Sequence, residues 1–268
     1  MIKRNKKIRS YLWIVFSLLI LTALIFYFKG YRFDKDNFIS SPLNIEVIVP
    51  FSDSVVYFDN TKEKTTDSEK QSVILSALRP GAHTILISKE GYWPWKKDIT
   101  ILSGAKLKLN PFLVSKTVTG SAITGADPEY DSITEMIRKN TFSKDSKLVS
   151  SDNLISISFE EGAIWAEWLG SKESIPYYFC SDTTVKNCDD KLKVLSSKDK
   201  IKNIDFYKDR SDLLLITIGE SISVLEIDPK GTQNFQPIYK GKEPSFVKNP
   251  SSDSILVSDG VSLMEINL

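Results

Sequence analysis

SDNLISISFEEGAIWAEWL (residues 151–169), SDLLLITIGESISVLEID (residues 211–228) and SDSILVSDGVSLMEINL (residues 252–268) share one pattern. Each opens on Ser-Asp, runs into an apolar strand, turns on a glycine and returns in a second strand with a glutamate near its end. The last two begin 41 residues apart, inside the ~40–45 residue period of propeller blades. The first lies 60 residues ahead of the second, and the longer gap holds an insertion with Cys180 and Cys188. One strand pair cannot bury its apolar face alone, whereas stacked neighbours can. Residues 151–268 therefore read as a propeller-like β-repeat domain. They supply about three units where propellers usually have ~4–8, so either an incomplete ring or an open stack of sheets is expected.

Upstream of the repeats, residues 43–113 also have strand periodicity. Leu43, Ile45, Val47 and Val49 alternate with polar residues, the pattern of a half-buried strand. Ser54–Asp59, Gln71–Leu78 and His83–Lys89 read as further strands, with Asn60–Lys70 as a charged loop. Arg79-Pro80-Gly81 is a turn, because proline presets φ and glycine accepts positive φ. Asp98–Leu102 and Ala105–Leu109, separated by Ser103-Gly104, read as a hairpin. The sum is a small antiparallel β-sandwich.

Leu78-Arg79-Pro80-Gly81-Ala82-His83-Thr84-Ile85, followed by Lys89-Glu90-Gly91-Tyr92 and preceded by Val56-Tyr57-Phe58-Asp59, resembles the PEGA domain. The resemblance covers about residues 43–113. Where that family usually has a Gly-x-Thr-Pro turn, this chain has Thr65-Thr66-Asp67. The resemblance implies an extracytoplasmic structural or binding role, and it brings no catalytic residues.

Residues 114–150 read as a Ser/Thr/Gly-rich linker followed by a short amphipathic helix, with Asp127 as N-cap, Pro128 at the first helical position, and Ile133, Met136 and Ile137 on one face to about Asn140.

Residues 11–28, YLWIVFSLLILTALIFYF, contain no group ionised at neutral pH. A helix of this length covers ~27 Å and crosses a bilayer core of ~30 Å. Its backbone polar groups are satisfied internally, as hydrocarbon requires. Tyr11 and Trp13 at one end, and Tyr27 and Tyr31 at the other, suit the two headgroup belts. The run is longer than the ~7–15 apolar residues of a signal peptide and is followed by Lys29-Gly30-Tyr31-Arg32 rather than a small-x-small cleavage site. An uncleaved, bilayer-spanning anchor is expected. Lys3, Arg4, Lys6, Lys7 and Arg9 make residues 1–10 a basic tail, which the positive-inside rule places in the cytoplasm. Residues 29–42 form a polar spacer, and everything beyond the helix is expected outside.

Five of the 35 basic residues precede the apolar run and none of the 34 acidic ones does, leaving the outer part with a formal charge of −4. That balance argues against a nucleic-acid partner. Cys180 and Cys188 flank SDTTVKN with no histidine nearby. Two thiols cannot complete a four-ligand zinc site, so no metal is expected and a disulfide is the preferred reading. His83 is the one histidine in the chain, and neither a glycine-rich phosphate loop nor a G-x-S-x-G elbow is present. No cofactor and no catalytic residue is assigned. Glu160-Glu161 and Asp189-Asp190 are adjacent pairs at predicted turns, where they read as solvated.

Trp93, Trp95, Trp165 and Trp168 are the candidate binding residues. The first two can stack on sugar rings or a partner, or simply cap the sandwich core. The fold class is thus mainly β: a single N-terminal transmembrane helix, a PEGA-like sandwich and an incomplete propeller-like repeat domain. The expected function is a membrane-anchored, non-enzymatic module that binds a cell-wall polymer or an envelope protein. The alternative is an envelope carbohydrate-active enzyme using Asp/Glu catalysis, for which two facing carboxylates, one with a raised pKa, in a tryptophan-lined cleft would be the signature.

Overall fold

The computed structural model describes residues 2–28, 31, 43–67, 69, 71–102, 106–140, 142, 146–181 and 187–268. Helix α1 (Ile2–Phe28) runs through the basic tail as well as the apolar stretch, so it begins nine residues before the predicted start. Its section Arg9–Phe28 is long and apolar enough to cross a membrane, and none of it is buried against the protein. The large apolar side chains of this section are 45–81% exposed. Almost all of the spacer 29–42 lies outside the described residues.

The first β unit is built from β1 (Leu43–Ile48), β2 (Val55–Phe58), β3 (Thr61–Thr65), β4 (Ser72–Leu78), β5 (Gly81–Ser88), β6 (Trp95–Ile101) and β7 (Lys106–Leu109). Two sheets, β4-β1-β7 and β3-β2-β5-β6, face each other. Leu43, Ile45, Val47, Val73, Leu75, Leu107 and Leu109 of the first sheet pack with Val56, Ile85, Ile87, Trp95, Ile99 and Ile101 of the second. Two expectations are corrected. The charged stretch after Asn60 contains a strand, because β3 is an edge whose side chains all face water while its backbone pairs with β2. The predicted hairpin at Ser103-Gly104 is a crossover: β6 pairs with β5, whereas β7 pairs parallel to β1 in the opposite sheet. The turn itself lies outside the described residues.

The second unit has three four-stranded sheets. The first contains β9 (Lys147–Val149), β10 (Ile155–Glu160), β11 (Ala163–Trp168) and β12 (Lys191–Ser196), and the second β13 (Ile201–Phe206), β14 (Leu213–Ile218), β15 (Ser221–Glu226) and β16 (Phe235–Lys240). The third joins β17 (Pro244–Lys248), β18 (Ser254–Asp259) and β19 (Ser262–Asn267) to β8 (Gly120–Ile123), a strand contributed from before the first sheet. The stretch expected as a linker therefore holds a strand. Its close approach demands glycine, since a Cβ on Gly120 would land on the Glu265 carbonyl oxygen.

Among the described residues the three sheets form an open stack, not a closed ring. Leu214 and Ile216 of the second sheet pack against Ile155, Ile157, Ile164 and Ala166 of the first. The opposite side of the second sheet, with Leu213, Leu215, Ile222 and Val224, joins Ile255 and Val257 of the third sheet and the sandwich residues in one continuous core. The third sheet's remaining face carries Leu256 and Leu263, which α2 (Tyr130–Lys139) covers with Ile133 and Ile137. The helix is thus the lid on one end of the stack. Its C-terminus is held by Asn203, which donates to Asn140 O and accepts from Ser245 Oγ (2.7 Å) and Phe246 N (3.2 Å). Asp127 does not cap this helix. Its carboxylate turns back to accept from Thr124 N and Oγ1, and the N-cap position is Glu129 without a side-chain bond.

The other end of the stack, the outward face of the first sheet, is polar. Lys147 pairs with Glu167 and Lys191 with Glu160, so no further sheet is needed to shield apolar surface. This is the physical reason that three units suffice.

Candidate functional site at the junction of the two β units

The sandwich meets the second sheet of the stack along β6, and the contact is built by side chains acting as strand surrogates. Asn234 Oδ1 accepts from Lys96 N (3.0 Å) while its Nδ2 donates to Lys96 O (2.9 Å). Gln236 repeats the device, accepting from Val114 N (2.9 Å) and donating to Pro94 O (3.1 Å). Two amides thus satisfy an edge that would otherwise offer unpaired backbone groups. Gly231 lets the loop come this close: its φ is +61°, and a Cβ would coincide with the Asp98 carbonyl oxygen.

Lys97 penetrates this contact. Burial along β6 alternates, so Trp95, Lys97, Ile99 and Ile101 all face inward. Lys97 is fully buried. A lone ammonium there would cost several kcal/mol, and two carboxylates from the repeat unit offset it. Nζ lies 3.2 Å from Glu226 Oε2 and 2.9 Å from Asp228 Oδ2, and also donates to Asp228 O (3.2 Å). Glu226 continues the row of Ile222 and Val224 on the β15 side that faces the sandwich. Its Oε2 also accepts from Asn234 N and Nδ2. Burial pushes the Glu226 carboxyl up from its ordinary range, against the opposing pull of Lys97 and Asn234. Asp228 accepts from the Tyr177 hydroxyl and from Lys230 N (2.8 Å). Burial, then the Asp228 charge, pushes the Tyr177 phenol well up.

Further bonds extend the clasp. Lys230 Nζ donates to the carbonyls of Tyr177 and Cys180. Arg210 is held by Asp212 and donates to Asn110 O and Pro111 O. Cys180 and Cys188 form the expected disulfide, S–S 2.09 Å, although residues 182–186 of the enclosed loop lie outside the described set. Closing so short a loop is worth about 2–3 kcal/mol. Reduction under native conditions is therefore expected to lower the denaturation midpoint by that equivalent, read by tryptophan fluorescence in urea; an unchanged midpoint refutes the staple.

Two clefts flank the clasp. One, of 700 Å³, is bordered by Trp168, Tyr177, Tyr178, Arg210 and Asp212 among others. The second, of 610 Å³, is bordered by Asp59, His83, Thr84, Asp98, Tyr177 and Lys230. In it His83 Nδ1 lies 2.8 Å from Asp59 Oδ2 and its Nε2 2.8 Å from Arg79 O. Asp98 is held well below the usual carboxylate range by hydrogen bonds from Lys96, Thr232 and Thr84. Among the described residues, no group of three or more His, Cys, Asp or Glu is placed to hold a metal.

Of the tryptophans expected to bind, Trp95 and Trp168 border the same larger cleft, while Trp93 and Trp165 do not border it. Trp95 is 1% exposed and belongs to the core, so it backs the cleft from behind and offers almost no surface to a ligand. Trp93 lies at the surface with Lys116 over its ring at 5.5 Å. Trp165 sits on the polar end face, with Lys191 and Lys193 over its ring at 5.1 and 5.0 Å. Trp168 borders the larger cleft and donates from Nε1 to Ser171 O (2.9 Å).

No family model matches this chain. No curated protein matches it either. One solved structure, provisionally described as a membrane-associated protein of unknown function from Bacteroides fragilis NCTC 9343, aligns over 84% of this chain and 97% of its own. The identity is 10% and the TM-score 0.23, so the likeness carries no argument about fold or role. The PEGA resemblance of residues 43–113 stands on its motif residues alone.

The residues of the clasp, Lys97, Glu226, Asp228, Tyr177, Asn234 and Gln236, went unnoticed in the sequence. One signal was present: a lysine between Trp95 and Ile99 at an inward position of an alternating strand calls for a buried counter-charge. Which carboxylates answer it is settled only by contacts more than 120 residues apart.

Proposed function

We propose that this chain is a membrane-tethered, extracytoplasmic and non-enzymatic module for binding or structural organisation at a bacterial envelope. The observation that carries the reading is the contrast between its two parts. A helix wholly unpacked against the protein and apolar enough for a bilayer leads into a β body whose buried charges, Lys97, Glu226 and Asp228, are spent on holding two units together. The basic tail orients the helix with its N-terminus in the cytoplasm. The disulfide suits an oxidising compartment, and the PEGA-like motifs of residues 43–113 suit an envelope module. Trp93, Trp165 and Trp168, the members of the original set outside the core, are the places where a wall polymer or envelope protein would stack.

One observation favours the carbohydrate-active alternative: Glu226 and Asp228 meet at a single ammonium beside a cleft bordered by Trp168, Tyr177 and Tyr178. Their bonding weighs against it. A general acid must reach the glycosidic oxygen, yet Glu226 is 8% exposed and Oε2 is committed to Lys97 and Asn234. In the open cleft Asp59 and Asp98 both have lowered pKa values and stay ionised.

The test is the full chain in membranes with a single added C-terminal cysteine. A membrane-impermeant thiol reagent is expected to label it in intact cells once any outer layer is permeabilised; protection from labelling refutes the topology. A parallel screen against cell-wall glycans is expected to give binding without hydrolysis, and clean hydrolysis selects the alternative.

A further inference from the structure

The edges of the five sheets are protected unequally. A free edge presents unpaired N–H and C=O groups to any other strand, and proteins usually blunt it with charge, proline or a cover. The β6 edge is covered by Asn234. Self-pairing of β3 would set Glu63 against Glu63 and Lys62 against Lys64, and self-pairing of β12 would set Lys191 against Lys193. β16 carries Pro237, and β8 is four residues long. Among the described residues, β4 has none of these devices. It is seven residues long, SVILSAL, uncharged, and at the end of its sheet. Ile74 on its outward face is 65% exposed.

We propose that β4 is a homodimerisation edge, pairing antiparallel with β4 of a second copy about a twofold axis at Ile74. The sequence around that residue is self-complementary: Ser72-Val73-Ile74-Leu75-Ser76 reads as the same classes in both directions. In this register Ser72 faces Ser76 of the second copy, Val73 faces its Leu75, and the two Ile74 side chains meet. Val73 and Leu75 are both core-facing, so the apolar face of one sandwich continues into the other without a register slip. The exposed Ile74 pair forms a cross-strand apolar contact on the opposite face. The irregularity where residues 76 and 77 oppose β1 limits the pairing to about these five residues. An interface this short is weak for molecules free in solution. Two copies tethered in one bilayer meet at a raised effective concentration, and in that respect the proposal rests on the tethering reading.

The experiment uses the full chain in lipid vesicles. Ile74→Cys, treated with a short thiol cross-linker, is expected to give a covalent dimer, while Val261→Cys, at a site 96% exposed, gives little. Ile74→Lys is expected to abolish energy transfer between differently labelled copies while keeping the wild-type urea midpoint, because the side chain is exposed in the monomer. Flotation with the vesicles reports the tether separately. Vesicle-bound chains that show no energy transfer at any surface density overturn the proposal. So does a dimer that survives Ile74→Lys, which would place the contact elsewhere, for instance along α1.

Discussion

Lys97→Met is expected to destabilise the folded chain by about 3–5 kcal/mol, the cost of leaving buried carboxylates without their partner. Methionine matches the length of the lysine stem, so the loss is electrostatic and not a cavity effect. Glu226 and Asp228 would then face each other at 8% and 4% exposure with one positive charge removed. Urea denaturation of the full chain in detergent, followed by tryptophan fluorescence, reads the loss. The triple variant Lys97→Met, Glu226→Gln, Asp228→Asn is expected to recover most of it, since replacing a whole buried ionic group by neutral residues is often close to neutral. A single variant that costs under about 1 kcal/mol would mean that water reaches Lys97 and that the clasp is looser than its geometry.

Trp95→Ala is expected to cost about 3–5 kcal/mol, the range for removing a large aromatic side chain from a core. Trp93→Ala, two residues away, is expected to cost clearly less, about 1 kcal/mol, because the ring is 36% exposed and lies at the surface under Lys116. The pair separates two roles that the sequence left joined. Stability loss confined to Trp95, with any glycan binding lost only on changing Trp93, is the expected division. The reverse pattern would return Trp95 to the binding surface and contradict its burial.

The repeats and the strands of the sandwich were legible because each has a local period, and the helix at the N-terminus because its apolar run is unbroken. Leu43, Ile45 and Val47 alternate along their strand, and Leu213–Ile218 and Ser254–Asp259 fall where the Ser-Asp pattern places them. The cysteine pair was legible by elimination and by its spacing. Gly120–Ile123 was not, since four small and polar residues have no period of their own and become a strand only beside β19. The crossover after β6 was missed for a similar reason. Ser103-Gly104 looks like a hairpin turn whether or not the flanking strands belong to one sheet.

What the sequence determined by itself is the inventory: an apolar segment of bilayer length, two β-rich stretches with their repeat, a cysteine pair spaced for a small loop, and the absence of familiar catalytic motifs. Only the tertiary structure decided how these combine. It made the three repeats an open stack, with α2 covering one apolar end and charged pairs finishing the other. It merged the sandwich with that stack through one core and one buried lysine. The division has a physical cause. Hydropathy and strand period act between neighbours in the chain, whereas the neutralisation of Lys97 depends on residues about 130 positions away, and no local pattern encodes which distant carboxylate a buried charge will meet.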